Sequence, residues 1–538
     1  MNMARPIFKL AALASLSASL ALIAAGCVKG ESSDDGAGGT KPTGPYTLSG
    51  KLTFERVPYR KGQQGLDYAA VAAHPIRNVS VRLLNAADNV EIAAAVSGED
   101  GGYTFTFDAP RQVKLWVYSE TVEPQIIVED NTAENAVYVI ESAEIDASKT
   151  PTFDFVVSTG WDGAAYAGPR AAAPFAVLDA AYQAARRFMT EVTPAPVFPP
   201  LRLNWSVNNR PEDGNKMGGQ IGTSHWDGSE LYILGKEGID TDEFDDHVIV
   251  HEWGHYFESK LGRSDSVGGS HGYGDHLDPR VALGEGWGNA VSAMILDPDT
   301  VYADSIGQQQ SEGFSYDLEL NDASLDASPG WYSESTVEAV LFDVYDAANE
   351  PWDQVALGLQ DVYAVATGPV KSSPAPTTIF SFITGLKAVS PADADAIDGL
   401  VSHHTYDAAH GLDRIDDAWG TGETHGGGFP GTLPVFVDGD AAGAINLPMS
   451  GGTGFNSLAQ NRFIRLSGTG GTVTITSTCT SDVDLYVSRE GVEVANASSL
   501  SGDEEVSFNA ASGTTYIVNV QGYENASIDY TAVIQITN

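Results

Sequence analysis

The chain has 538 residues, more than one hydrophobic core supports, so we expect three or four domains. It contains 72 aspartate and glutamate residues against 29 lysine and arginine residues, a formal net charge of −43 at pH 7. A surface this acidic repels nucleic acid and anionic lipid headgroups, which we exclude as partners. It also suits high-salt surroundings or the binding of calcium.

The first 26 residues have the pattern of a signal peptide. Arg5 and Lys9 precede an apolar segment at residues 10–23, and small residues follow up to Cys27. This ending resembles the lipobox of bacterial lipoproteins, although Ala24 stands where leucine is usual. The resemblance implies lipid attachment at Cys27 and a place on the bacterial outer membrane or cell surface. The alternative is ordinary cleavage beside an incidental cysteine.

Residues 27–45 predict a flexible tether, because glycine, serine, aspartate and threonine dominate them. No later stretch is apolar enough over a sufficient length to span a bilayer, so the lipid would be the sole membrane contact. With Cys27 occupied by lipid, Cys479 has no disulfide partner, and we expect it inside a strand as a small hydrophobe. We expect a monomer.

Residues 46–158 have β patterns. Residues 46–54 and 79–84 alternate with period two, and turn residues separate the later strands. Residues 100–105, Asp-Gly-Gly-Tyr-Thr-Phe, resemble the signature of carboxypeptidase-regulatory-like domains. The resemblance implies an all-β sandwich that acts as a spacer or an adhesion module.

The next region begins with a helix and two strands. Residues 171–191 have apolar side chains at three-to-four spacing and predict an amphipathic helix. Residues 201–207 and 230–234 predict strands. The acidic residues 242–246 then precede a further helix, whose positive end they are expected to cap.

That helix contains a histidine pair. His251 and His255 stand in the pattern H-E-x-x-H, which places both imidazoles on one helix face, one turn apart. Two imidazoles at this spacing can bind one zinc ion, and Glu252 can accept a proton from a water beside the metal. His247 lies one turn earlier, but its use as a ligand would misplace Glu252 as the base. We therefore predict His251 and His255 as ligands.

Residues 281–291 predict a second helix with one carboxylate among small and apolar neighbours. A buried carboxylate without a partner is costly, so we predict Glu285 as the third zinc ligand, with the fourth position open. Asn289 follows one turn later, where its side-chain oxygen can accept the free N–H of a ligand histidine. The competing interpretation is two core histidines and an incidental glutamate.

The motifs H-E-W-G-H and G-E-G-W-G-N resemble the gluzincin metallopeptidases, most of all their fungalysin branch and more distantly the thermolysin-type enzymes. The resemblance implies His251, His255 and Glu285 as zinc ligands and Glu252 as general base. Relatives usually have aspartate where this chain has Asn289, and an amide orients a ligand histidine more weakly than a carboxylate does.

The same resemblance implies an α+β zincin-type domain, which we place at residues 160–421. Such a domain has a sheet edge that pairs with substrate, a zinc helix and a mostly α C-terminal lobe. Residues 230–234 fit either that edge or a plain core strand. Residues 378–388 and 392–402 predict helices of the C-terminal lobe.

Gluzincins also use a tyrosine or histidine from a later segment to donate a hydrogen bond to the oxyanion of the reaction. Tyr332 is our candidate, with His403, His404, His410 and His425 as unranked rivals.

The loop at residues 261–280 joins the two motif helices and is expected to line the site. His271, Asp275 and His276 within it suit either a second metal position or an ordinary solvated loop.

Residues 422–432 predict a glycine-rich linker, and residues 433–538 return to β patterns. Residues 482–487, Asp-Val-Asp-Leu-Tyr-Val, followed by residues 516–520, Tyr-Ile-Val-Asn-Val, resemble the bacterial pre-peptidase C-terminal domain. The fold class predicted for the whole chain is therefore multidomain, with an α+β zincin-type domain flanked by two all-β sandwiches.

These features predict an exported zinc-dependent endopeptidase that hydrolyses extended polypeptide, since the chain lacks the amine-binding motif expected of a gluzincin aminopeptidase. The alternative is a surface adhesion or binding lipoprotein with a non-catalytic zincin fold. The presence of Glu252 argues against it, because a structural metal needs no base. Hydrolysis of glycans or esters ranks last, because nothing resembles a carboxylate pair that flanks a sugar.

Overall fold

The computed structural model describes residues 46–60, 63–108, 112–307, 311–347, 350–406, 411–425, 433–440, 443–452, 454–524 and 528–537. The predicted signal peptide and tether, with Cys27, lie outside these residues, as do residues 426–432 of the predicted linker. The described chain is a multidomain α+β structure that includes seven α-helices. No helix within it is both long enough and apolar enough to cross a membrane.

The N-terminal region consists of strands with alternating burial. In the first strand Leu48, Leu52 and Phe54 are fully buried and Lys51 is exposed, as the period of two requires. This strand pairs antiparallel with the second and fifth strands and parallel with the eleventh. The strands are β1 (Tyr46–Arg56), β2 (Ala72–Pro75), β3 (Val79–Asn85), β4 (Glu91–Val96), β5 (Gly102–Phe107), β6 (Gln112–Thr121), β7 (Ile126–Asp130), β8 (Ala136–Val137), β9 (Val139–Glu141), β10 (Ile145–Asp146) and β11 (Phe155–Val157).

A ten-stranded sheet extends from this region into the next one. Leu201 pairs with Ile126 and Leu203 with Val128, so a strand that follows the first helix lies parallel to β7. The sheet therefore crosses the predicted domain boundary near residue 158. The elements that follow β11 are α1 (Ala173–Glu191), β12 (Leu201–Trp205), β13 (His225–Trp226), β14 (Leu231–Ile233), β15 (Gly235–Lys236) and β16 (Asp240–Thr241). The predicted helix at residues 171–191 is confirmed as α1.

The edge of this sheet is β13. The strand order ends β13-β14-β12, and β13 pairs antiparallel with β14. The prediction that residues 230–234 form the edge is wrong, because β14 has neighbours on both sides and buries Leu231 and Ile233 completely. The alternative interpretation, a core strand, holds.

The helical region follows. Its elements are α2 (Asp246–Lys260), α3 (Pro279–Leu296), β17 (Val301–Ile306), β18 (Glu312–Asp317), α4 (Glu334–Tyr345), α5 (Gly358–Thr367), α6 (Ile379–Val389) and α7 (Ala394–His404). The helices predicted at residues 378–388 and 392–402 are confirmed as α6 and α7 within two residues at each end. Asp245 stands at the N-cap position of α2 but makes no capping hydrogen bond with its side chain. The predicted cap is therefore wrong for this residue, because Asp245 Oδ2 accepts from Ser305 instead.

The C-terminal region is a sandwich of two sheets with its own core. One sheet has the order β21-β23-β28-β25-β26 and the other β22-β29-β24-β27. The strands are β19 (Thr424–His425), β20 (Leu433–Pro434), β21 (Phe436–Asp438), β22 (Ile445–Ser450), β23 (Asn461–Ser467), β24 (Thr472–Thr478), β25 (Val483–Arg489), β26 (Val492–Ala497), β27 (Glu505–Asn509), β28 (Thr515–Gly522) and β29 (Asp529–Thr537). Cys479 follows β24 directly instead of lying within a strand, and it packs against this core.

An aromatic cluster joins α1 to α2. Phe188 is fully buried, and its ring stacks on Trp253 at 5.7 Å and on Phe257 at 5.0 Å between centroids. These two residues flank the predicted zinc-ligand histidine His255, so the cluster holds α2 against the rest of the core.

We predict that Phe188→Ala lowers the free energy of unfolding by about 3–5 kcal/mol, because it leaves a cavity under α2. Urea unfolding followed by tryptophan fluorescence measures the change. Val197→Ala is the control, since Val197 is 89% exposed and should have almost no effect. Equal stability of the two variants would contradict the assigned role of the cluster.

Candidate metal centre

Three predicted ligand side chains meet between α2 and α3. His251 Nε2 lies 3.1 Å from His255 Nε2 and 3.3 Å from Glu285 Oε2, and His255 Nε2 lies 3.4 Å from the same oxygen. Helix α2 places the two imidazoles one turn apart, and α3 supplies the carboxylate from the opposite side. The three atoms form a nearly equilateral triangle, here called the ligand triangle.

The size of the ligand triangle fits a tetrahedral zinc ion. Zinc binds nitrogen and oxygen ligands at about 2.0–2.1 Å, and the edge of a tetrahedron is about 1.63 times that length, or about 3.3–3.4 Å. The observed sides of 3.1, 3.3 and 3.4 Å agree with this value. The donor set of two imidazoles and one carboxylate is also one that zinc prefers.

Glycine residues permit this close approach. A Cβ atom on Gly288 would lie 2.7 Å from the His251 ring, and one on Gly254 would lie 3.2 Å from the Gly288 backbone. On the other side of α3, a Cβ on Gly286 would lie 2.7 Å from Val337 of α4. Gly286 and Gly288 are therefore required by packing, since a side chain at Gly288 would push α3 away from His251 and one at Gly286 would push it away from α4.

Asn289 fixes the tautomer of His251. Its Nδ2 donates to Glu334 Oε1 and Glu338 Oε2, both at 2.7 Å, so its Oδ1 must face His251 Nδ1 at 2.6 Å. An amide oxygen can only accept, so His251 Nδ1 has the proton and Nε2 presents its lone pair to the ligand triangle. The structure thus places Asn289 where the sequence predicts it.

His255 has a different neighbour. Glu258, three residues later on α2 and buried, places Oε2 3.5 Å from His255 Nδ1. This carboxylate favours a proton on Nδ1 and leaves Nε2 for the ligand triangle.

The electrostatics of the ligand triangle favour a cation. Burial lowers the pKa of His255, but Glu285 and Glu258 outweigh burial and raise it well above the ordinary value. Burial raises the pKa of Glu285, but His255 and His251 outweigh it and bring the value well below the usual range. The buried carboxylates thus favour positive charge at this place, from either a proton or a metal ion.

Glu252 lies beside the ligand triangle and is only 9% exposed. Its Oε2 accepts a hydrogen bond of 2.8 Å from the Trp226 N–H of the edge strand β13. This bond fixes the direction of the carboxylate and joins the predicted base to the sheet edge. His247, by contrast, is bonded through Nδ1 to Ser292 Oγ at 2.9 Å and serves the packing of α2 on α3.

The loop between α2 and α3 lines the site through His271. Its Nε2 lies 3.6 Å from Glu285 Oε2 and 3.4 Å from Glu334 Oε2, while its Nδ1 lies 3.1 Å from the Gly269 carbonyl. Burial lowers the pKa of His271, but Glu285 and Glu334 outweigh burial and raise it. Both carboxylates thus shift His271 towards the imidazolium form, which has a proton on both nitrogens.

The C-terminal sandwich holds this loop in place. Asn456 Nδ2 donates to the Ser270 carbonyl at 3.2 Å, and the Asn456 carbonyl accepts from Asp278 N at 2.7 Å. Leu458 N donates to the His276 carbonyl at 2.8 Å. Both sides of His271 are thus bonded to a loop that belongs to another domain.

Tyr332 packs its ring on His276, at 4.7 Å between centroids, and directs its hydroxyl to the Pro329 carbonyl at 3.5 Å. His271, with Nε2 3.6 Å from Glu285 Oε2, is therefore a further candidate donor beside Tyr332. Of the predicted rivals, His403 bonds Asp322 at 2.8 Å and His404 bonds Asp343 at 2.9 Å. His410 and the His425 side chain lie outside the described residues.

Sequence reasoning missed several residues of this site. Glu258 could have been found from its position three residues after His255 on one helix face. Glu334 and Glu338 are carboxylates in a helix that buries nearly every residue, the same signal that identified Glu285. The contact between Trp226 and Glu252 had no local signal, since the two residues are 26 positions apart.

Comparisons with known proteins find little. No family model and no curated protein matches the chain. Among solved structures, the pre-peptidase C-terminal domain of a Bacillus anthracis collagenase is similar over 18% of this chain and 88% of that chain, with 17% identity and a TM-score of 0.15. A 9R-lipoxygenase from Cyanothece is similar over 75% of each chain, with 11% identity and a TM-score of 0.16. Both similarities are weak, so a proposal of function must rest on the geometry of the site.

We predict that Asn289→Ala weakens zinc binding by about 10–100-fold, because His251 loses the acceptor that fixes its tautomer. Competition with a colorimetric zinc chelator measures the affinity. Asn321→Ala is the matched control, since Asn321 also donates to Glu338, at 2.9 Å, but has no hydrogen bond to a ligand histidine. Zinc affinity equal to that of the unmodified protein in Asn289→Ala would refute the role of this amide.

Proposed function

We propose that the chain is a zinc-dependent endopeptidase that is exported and anchored through lipid at Cys27. The observation that supports the activity most directly is the position of Glu252. It lies beside a ligand triangle of the size that zinc requires, and a backbone N–H of the sheet edge fixes its direction. Buried zinc sites that serve only structure have four protein ligands and no such base.

The residues divide the chemistry among them. His251, His255 and Glu285 would hold the zinc ion, which would supply Lewis acidity towards a carbonyl oxygen and lower the pKa of water. Glu252 accepts the proton of the attacking water and delivers it to the amine that leaves. Asn289 and Glu258 keep both imidazoles in the tautomer that binds metal.

The sheet edge suits an extended polypeptide. In the described chain β13 is the last strand of the ten-stranded sheet, and Trp226 of this strand contacts the base directly. A peptide that adds to β13 as a further strand brings its backbone past Glu252 and the ligand triangle. Recognition through the backbone of an extended segment favours cleavage within a chain.

We predict that Glu252→Gln reduces kcat for casein hydrolysis by about 10²–10⁴-fold while zinc content stays at one ion per chain. Glutamine keeps an oxygen that can accept from Trp226 N–H, but it cannot take a proton. Elemental analysis and a fluorescent casein assay measure the two quantities, and Glu237→Gln on an exposed turn nearby is the control.

Three outcomes of that experiment separate the hypotheses. Activity that survives in Glu252→Gln refutes the proposed mechanism. Zinc without cleavage of any protein by the unmodified chain supports the alternative of a binding lipoprotein. Absence of zinc refutes the metal centre itself.

His271 is the proposed donor to the oxyanion. Since Nδ1 is bonded to the Gly269 carbonyl, Nε2 has a proton only in the imidazolium form, which Glu334 favours. An imidazolium N–H beside the ligand triangle can stabilise negative charge on a carbonyl oxygen.

We predict that His271→Ala lowers kcat by about 10²–10³-fold with zinc still bound, whereas Tyr332→Phe leaves kcat almost unchanged. The two variants test the two candidate donors, because phenylalanine removes only the hydroxyl of Tyr332. Steady-state kinetics with parallel zinc analysis decides between them. A large loss in Tyr332→Phe and none in His271→Ala would restore Tyr332 as the donor.

A further inference from the structure

Four aspartates gather at the start of α2, away from the ligand triangle. Asp240 lies on β16, Asp242 and Asp245 lie in the turn that leads into α2, and Asp304 lies on β17. Asp240, Asp242 and Asp304 each offer one carboxylate oxygen, and these oxygens lie within 4.8 Å of one another. We call the four residues the aspartate cluster.

Each member of the aspartate cluster has a buried oxygen without a hydrogen bond. Asp242 Oδ2 accepts from Ser224 Oγ, and Asp245 Oδ2 accepts from Ser305 N at 2.9 Å and from Ser305 Oγ at 2.6 Å. The Oδ1 atoms of all four aspartates are buried and have no hydrogen-bond partner in the described chain. Asp242 is only 3% exposed and Asp245 only 2%.

Protein cations do not neutralise this charge. Within the described residues, no lysine or arginine forms an ion pair with any of the four aspartates. The nearest guanidinium groups serve neighbouring acids, since Arg56 pairs with Asp246 and Arg170 with Glu243. Buried carboxylates without a cation are costly, and each one raises the cost of the next.

The pKa values of the aspartate cluster agree with carboxylates that have no ion pair with a lysine or arginine in the described chain. Burial raises the pKa of Asp240 to about 7, and the charge of Asp304 adds to the shift. Burial alone raises the pKa of Asp304 to about 6. Both pKa values lie above the ordinary range of aspartate, as expected for buried carboxylates that lie close together.

We propose that Asp240, Asp242 and Asp304 of the aspartate cluster bind one calcium ion. All the donors are oxygens, which calcium prefers and which zinc uses less than nitrogen or sulfur. Two oxygens on one calcium ion, each at about 2.3–2.6 Å, are at most about 4.6–5.2 Å apart, so three oxygens that lie within 4.8 Å of one another can share one ion. Magnesium, at about 2.0–2.1 Å, needs a tighter and more regular set and usually keeps several waters.

The calcium ion joins three elements that support the zinc helix. Asp245 is the N-cap residue of α2, and Asp304 stands on β17 two residues after Tyr302. The Tyr302 ring packs edge-on against His251, at 6.2 Å between centroids. Binding at the cluster therefore fixes the start of α2 relative to the strand that covers the first ligand histidine, without contributing an atom to the reaction. This inference is independent of the proposed peptidase activity.

The test uses the full chain, passed over a chelating resin and reloaded with one equivalent of zinc. Calcium chloride is titrated in a calorimeter and in thermal unfolding, with magnesium chloride in parallel. We expect one calcium ion per chain and a thermal midpoint that rises with calcium, since a ligand at 100 times its Kd shifts the folding equilibrium about 100-fold. Absence of a calcium effect, or an equal effect of magnesium, overturns the proposal.

Variants assign the effect to the cluster. Asp304→Asn keeps the shape of the side chain but removes a charge, so it should raise the midpoint without calcium and abolish the increase with calcium. Asp242→Asn should do the same and serves if Asp304→Asn does not fold. Asp503→Asn, on the exposed surface of the C-terminal sandwich, is the control and should keep the full calcium response. A full calcium response in both cluster variants refutes the assignment.

Discussion

The close contact between α2 and α3 is the constraint on which the proposed metal centre depends. Without a side chain on Gly288, the His251 ring lies directly against α3, and Glu285 on that helix reaches both histidines. The aromatic residues of α2 then fill the space on its other side, against Phe188 of α1. The positions of the predicted ligand side chains thus result from helix packing. Small residues at the contact set the distance between the two helix backbones.

The parts of the site that could be predicted are those with local signals. The histidine pair follows from helical spacing on α2, and Glu285 follows from the cost of an unpaired carboxylate in an apolar helix. Residues such as Trp226 and His271 reach the site through tertiary contacts, to Glu252 and to Glu285, that no local period reveals. The prediction that residues 230–234 form the sheet edge failed for the same reason, because the pairing of β13 with β14 has no local signal.

The neighbours of Asn289 explain why an amide suits this position. Its amide group donates to Glu334 and Glu338 while its oxygen accepts from His251. An aspartate here would set a third carboxylate against two buried ones, and burial together with Glu334 already raises the pKa of Glu338 well above its usual value. An amide is a weaker acceptor than a carboxylate, but it has two N–H donors, which the neighbouring carboxylates require.

The C-terminal sandwich has its own core, yet its Asn456 loop is bonded to the backbone on both sides of His271. Leu458 of the same loop is buried in the main core of the chain, not in the core of the sandwich. An exchange of this domain for another of similar shape, as in the construction of chimeric proteins, would therefore also replace one wall of the metal site. Transfer of the proposed site to another protein would therefore have to include the sandwich, although none of the predicted ligands lies in it.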